Sequence, residues 1–158
     1  MVNQKALEWV QGRASLGAAG GWTAEEMRLV ADLAYALAEQ GRHDEAITAF
    51  EGLAALAPAT SYFQSALGAL WLRKGDPARA VAYLDAALAA DPTDITALAN
   101  RGEALMQAGD TAGAQRDFEE VARLAPAPAP NTVAEMCATR ARALHQVLRG
   151  SLTPDAGT

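Results

Sequence analysis

Apolar positions recur along this chain at one fixed step. Ala34, Gly68 and Gly102 lie 34 residues apart, and so do Ala46, Ala80 and Ala114. The large residues keep the same step: Leu37, Trp71 and Leu105 form one set, Phe50, Leu84 and Phe118 another. The helix breakers follow it too, as Gly41, Gly75 and Gly109 and as Pro58, Pro92 and Pro126. Several classes of position in one register mark an internal repeat of a supersecondary unit. Each unit reads as two helices. The small residue sits midway along the first helix, and the alanine 12 residues later is its counterpart on the second. Two small residues facing each other allow a short interaxial distance, and the large residues fill the space on either side. The glycines end the first helix, where a left-handed residue is needed. The prolines stop the second helix and open the next unit.

Polar residues at the boundaries agree. Asp76-Pro77 reads as N-cap and first helical residue, Asp94 and Asp110 as N-caps, and Thr23-Ala24-Glu25-Glu26 as a capping box. The repeat block therefore spans 23–128, with units at 27–60, 61–94 and 95–128. Residues 1–22 precede it as a short helix and a connector. The helix is expected over residues 4–11, with Leu7, Trp9 and Val10 on its apolar side, and a Gly/Ala-rich connector follows. So short a helix is marginal alone, so it is expected to dock on its own solenoid or on a second subunit. Downstream, Ala125-Pro126-Ala127-Pro128-Ala129-Pro130 reads as an extended spacer. A last helix is expected within 129–150, capped by Asn131 and ending near Arg149. Its apolar stripe would be Val133, Met136, Cys137, Ala141, Leu144, Val147 and Leu148. This helix is expected to cap the exposed end of the last unit, with Arg140, Arg142 and Arg149 on its solvated side. Residues 151–158 read as a disordered tail.

Composition supports an all-α reading and narrows the function. Alanine, the best helix former, appears in nearly every segment, and aromatics make up only 6% of the chain. The formal net charge of −6 argues against nucleic acid and anionic membrane as partners. Cys137 is the single cysteine, which excludes an internal disulfide and fits a reducing compartment. No signal peptide or membrane span is visible, so a cytoplasmic location is expected. Catalytic chemistry is not expected either. His43 and His145 have no metal-ligand spacing, no phosphate loop or nucleophile motif occurs, and Glu25-Glu26 and Glu119-Glu120 read as solvated helix positions. No cofactor and no metal are expected.

A 34-residue unit with a small residue at position 8, Ala at 20, an aromatic or Leu at 24 and Pro at 32 resembles the tetratricopeptide repeat. The resemblance implies an all-α solenoid whose first helices line a concave face through positions 2, 5, 9 and 12 of each unit. Here those are Arg28, Ala31, Tyr35 and Ala38; Tyr62, Ser65, Ala69 and Leu72; and Thr96, Ala99, Glu103 and Met106. Small residues leave pockets, and tyrosines give contact area at low entropy cost. The implied ligand is an extended, fairly hydrophobic peptide. The carboxylate clamp of chaperone-tail binders is disfavoured, because its positions hold Ala31, Tyr35, Ala66, Thr96 and Asn100, with no lysine or arginine among them.

More closely, the chain resembles the class II chaperones of type III secretion, which hold pore-forming translocators. Ser61-Tyr62-Phe63 through Leu67-Gly68 to Gly75 is similar to their second repeat. Leu33 to Tyr35, with Gly41, Ala46 and Phe50, is similar to their first. That resemblance implies a cytoplasmic chaperone that holds an exported client segment in its groove, with Tyr35 and Tyr62 as groove contacts. It also implies a homodimer, with Leu7, Trp9 and Val10 as candidate dimer contacts. Ala31, Ala38 and His43 stand where the family favours aromatics. The alternative is a generic tetratricopeptide scaffold or adaptor in a bacterial protein complex with no secretion role.

Overall fold

A computed structural model describes Glu8, residues 21–125 and residues 132–152. Its helices are α1 (Ala24–Glu39), α2 (His43–Leu56), α3 (Ser61–Arg73), α4 (Pro77–Ala90), α5 (Ile95–Gln107), α6 (Thr111–Leu124) and α7 (Val133–Leu152). No strand occurs among the described residues. Helices adjacent in sequence pack on one another, α3 also touches α5, and α7 packs against both α5 and α6. The result is three antiparallel helical hairpins in file, closed at one end by α7. Of the helix expected at 4–11, only Glu8 is described, and it is helical. Leu7, Trp9 and Val10, the spacer prolines, Asn131 and residues 153–158 lie outside the described residues.

The periodic glycines act as expected. Gly41, Gly75 and Gly109 have φ of 78°, 77° and 87°, a left-handed conformation that side chains resist. Each completes the same pair of bonds. The Arg42 amide reaches back to the Leu37 carbonyl at 2.9 Å and the Gly41 amide to that of Ala38 at 3.0 Å. Asp76 and Gly75 repeat this on Trp71 and Leu72, as do Asp110 and Gly109 on Leu105 and Met106. These are Schellman stops. The backbone carbonyl of the large residue four before each glycine anchors the stop.

N-caps follow the sequence. The Thr23 hydroxyl accepts from the Glu26 amide at 3.2 Å, and the Glu26 carboxylate accepts from the Thr23 amide at 2.8 Å. Asp76, Asp94 and Asp110 accept from the amides of Arg79, Ala97 and Gly113 at 3.0, 3.0 and 2.8 Å. At the start of α7 the Thr132 hydroxyl accepts from the Glu135 amide at 3.1 Å; the expected cap, Asn131, lies outside the described residues. The far end of α7 also differs from expectation. The helix runs through Ser151, whose hydroxyl bonds the Leu148 carbonyl at 2.8 Å, into the stretch read as tail.

Two expectations about packing are corrected. First, the nearest side chain to the small residue on the first helix of the second and third units is the large residue of the second helix. A Cβ on Gly68 would stand 2.7 Å from Leu84 Cδ2, and one on Gly102 would stand 2.8 Å from Phe118 Cδ1. The glycine makes room for a fully buried side chain, Leu84 at 0% and Phe118 at 1% exposure. Second, the apolar stripe of α7 is narrower than its periodicity suggests. Ala138, Ala141 and Leu148 are buried, and Cys137 and Leu144 are partly so. Val133, Met136 and Val147 are exposed.

The core divides into two clusters, one built from Val30 to Leu70 and one from Leu72 to Leu148. Trp71 packs against both. Its ring also carries the Arg79 guanidinium at 4.4 Å and the Lys74 ammonium at 5.1 Å. A charged clamp joins the second and third hairpins. From α5, Arg101 grips the buried Asp117 of α6 with two bonds of 2.8 and 2.7 Å, and reaches Asp85 of α4 at 2.7 Å. These carboxylates, Asp117 foremost, push the Arg101 pKa further above its ordinary value.

Candidate peptide-binding groove

The first helices of the hairpins and α7 enclose a cavity of about 560 Å³. One half is apolar or small: Tyr35, Tyr62, Ser65, Ala66, Ala69 and Leu72. The other is polar, formed by Arg73, Asp94, Thr96, Asn100, Glu103 and Arg140, with Val133 and Cys137 from α7.

Aromatic packing sets the apolar half. Phe50 is fully buried, and the Tyr35 ring meets it edge-on with centroids 5.0 Å apart. Tyr62 meets Tyr35 at 6.3 Å and Phe63 at 5.6 Å, both edge-on. This lattice holds two tyrosines at the cavity wall while leaving them 38% and 49% exposed. Burial, with the Tyr62 hydroxyl alongside, raises the Tyr35 phenol pKa well above its ordinary value. The phenol is therefore a neutral donor and acceptor at any physiological pH.

The polar half is organised by α7. Arg140 donates to the Asn100 side-chain oxygen, and its Nε lies 3.1 Å from a Glu103 carboxylate oxygen. Arg140 is thus a tether from α7 to α5, not only a solvated charge. Cys137, expected on the apolar stripe of the last helix, lines this cavity half-buried. Burial raises its thiol pKa, which keeps it protonated and a poor nucleophile.

Of the residues expected to line the groove, Tyr35, Tyr62, Ser65, Ala69, Leu72, Thr96 and Glu103 do so. Five others do not. Ala31, Ala38 and Ala99 are 2%, 4% and 1% exposed and belong to the core, because a methyl group is too short to reach past its packed neighbours. Arg28 lies near the start of α1, and Met106 in the last turn of α5, away from the middle of the concavity. Sequence reasoning missed Val133, Cys137 and Arg140. The repeat step held a signal for one of them: Cys137 stands 34 residues beyond Glu103, which also lines the cavity. Arg73 and Asp94 had no such signal, since both fall outside the inward set.

A solenoid of helical hairpins with a lined concavity is a protein-binding architecture. This chain belongs to the tetratricopeptide-repeat family, whose models match residues 31–95 and 72–136. No curated protein matches the sequence. Solved structures share its fold at low identity. The Yersinia enterocolitica type III secretion chaperone SycD, in complex with a peptide of the translocator YopD, is 19% identical with a TM-score of 0.72, over 83% of this chain and 98% of that one. PcrH from Pseudomonas aeruginosa, in complex with the chaperone-binding region of PopD, is 21% identical with a TM-score of 0.74, over 84% and 98%. The first tetratricopeptide domain of Spaghetti (RPAP3), bound to the HSP90 peptide SRMEEVD, is 19% identical with a TM-score of 0.71, over 82% and 95%. The chain is therefore a tetratricopeptide protein-binding module with the fold of the translocator chaperones.

Proposed function

We propose that this protein is a cytoplasmic chaperone that holds an extended, apolar segment of an exported, membrane-active client in its concave cavity. The observation that carries the reading is the cavity itself. Two half-exposed tyrosines, edge-on to each other and fixed on Phe50 and Phe63, share the cavity lining with the small residues Ser65, Ala66 and Ala69, so large and small side chains stand together on one wall. An extended peptide places alternate side chains on one side and matches such a wall. SycD, which shares this fold, is seen with a peptide of the translocator YopD, and PcrH with the chaperone-binding region of PopD. In this reading the clamp class represented by the HSP90-peptide complex is a weaker fit, since Asn100 is occupied by Arg140. The chaperone is proposed to be a homodimer joined through its N-terminal segment.

Co-expression with neighbouring genes tests the proposal. A client that is insoluble alone should become soluble with this protein, and Tyr62→Ala should return it to the pellet while circular dichroism stays unchanged. A scaffold with no export role would leave the solubility of such a neighbour unaltered.

A further inference from the structure

We infer that Arg73 selects the client's chemistry: the bound segment carries an Asp or Glu side chain beside the apolar residue that seats on Tyr35 and Tyr62. This rests on reading the cavity as the client groove, and it adds what must fill the polar side.

The argument is one of charge balance. Most described basic side chains are ion-paired: Arg42, Lys74, Arg79, Arg101, Arg123, Arg140 and Arg142 each have a carboxylate. Among the described residues, Arg73 is the cation that lines the cavity without one. Arg140, the other arginine there, is balanced by Glu103 and held on Asn100. Of the two acids, Glu103 is thus neutralised, and Asp94 accepts from the Ala97 amide at the positive end of α5. Arg73 sits in the last turn of α3, a favourable place for a cation. Its guanidinium donors have no partner among the described residues.

Arg73 is exposed at the cavity, and a segment that fills the cavity covers part of its guanidinium. Covering an unpaired guanidinium with apolar groups is costly, whereas a carboxylate can take two of its donors side by side. The preference should be positional. An acid seated against Asp94 or Glu103 would be repelled, and the net charge of −6 gives no general attraction for anions. A side-chain carboxylate fits better than a chain terminus. One free cation can hold an acid in passing, but the positions of a terminal clamp hold Ala31, Tyr35, Ala66, Thr96 and the occupied Asn100.

The test is selection from a random library of short peptides with both ends blocked, run on the wild type, Arg73→Gln and Tyr62→Ala. Wild-type binders should be enriched in Asp or Glu at one position beside a large apolar residue, and Arg73→Gln binders should keep the apolar residue and lose the acid. For a resynthesised binder, replacing its acid with the amide should weaken wild-type binding about tenfold and Arg73→Gln binding no more than about twofold. Apolar enrichment without an acid, or an acid still selected by Arg73→Gln, would overturn the role of Arg73 and leave the groove reading standing. An acid preference that appears only when a parallel library has free C-termini would overturn the side-chain assignment. Absence of binders, or binders indifferent to Tyr62→Ala, would overturn the groove reading and this inference with it.

Discussion

At single positions, the constraints come from what a side chain would meet. Gly102 lies in a helix, where alanine gains up to about 1 kcal/mol over glycine. Yet its missing Cβ is the space that Phe118 occupies, and overpacking a fixed ring costs about 1–3 kcal/mol. Gly102→Ala should therefore lower the urea midpoint, while Gly150→Ala, with no atom within 4 Å of its Cβ, should hold or raise it. A midpoint raised by Gly102→Ala would mean that the helices have room to part. Arg101 is the second such position. Asp117 is 5% exposed, and its partner is the Arg101 guanidinium. Arg101→Met should cost about 3–5 kcal/mol, because a buried carboxylate is left uncompensated. Arg101→Lys should not restore it, since one ammonium cannot span both Asp117 oxygens and Asp85. Adding Asp117→Leu to Arg101→Met should recover most of the loss in a denaturant titration. An equal loss in the double variant would show that packing rather than charge is at stake.

At the scale of helices, the sequence is most legible where local chemistry decides and least legible where distant elements meet. The stops at Gly41, Gly75 and Gly109 and the caps at Thr23, Asp76, Asp94 and Asp110 depend on residues within a turn of one another, so spacing reveals them. The tyrosines of the groove are legible for a different reason: the resemblance to the repeat implies that their positions face inward, and both line the cavity. The contribution of α7 was not. Its stripe was read from periodicity alone, but which side is buried depends on how α7 settles on α5 and α6. Arg140 looked like a solvent-facing charge because its partners, Asn100 and Glu103, lie 40 and 37 residues away in sequence. The tether makes a prediction at this scale. Arg140→Met leaves the Asn100 oxygen buried without a donor and the Glu103 carboxylate without a cation, a loss of about 1–3 kcal/mol. Hydrogen exchange should localise the added openings to α7 and leave α1–α4 as protected as before. Uniform deprotection would mean that α7 and the repeats open as one unit.

Across the whole molecule, the two ends of the solenoid are not alike. At the C-terminal end, α7 covers the last hairpin, burying Ala138, Ala141 and Leu148. At the N-terminal end, Leu29 on α1 is 42% exposed, and Trp22 and Met27 are only partly buried against the first cluster. A repeat array must cover the apolar face of each terminal unit. Residues 4–11, expected from the sequence to be a helix with Leu7, Trp9 and Val10 on its apolar side, would supply the apolar area to do this, either within one chain or across a dimer. The two arrangements separate on deletion of residues 1–21. The capping box of Thr23 and Glu26 lies within the retained chain, so the truncated chain should still form its hairpins. If the segment joins two copies, light scattering should give half the mass of the full-length protein, with mean helicity per residue held. If it folds back on its own α1, mass per particle should stay near that of one chain before deletion, and the bared end should drive concentration-dependent association afterwards. A mass that halves on deletion supports the proposed dimer; a full-length protein already monomeric by light scattering removes it.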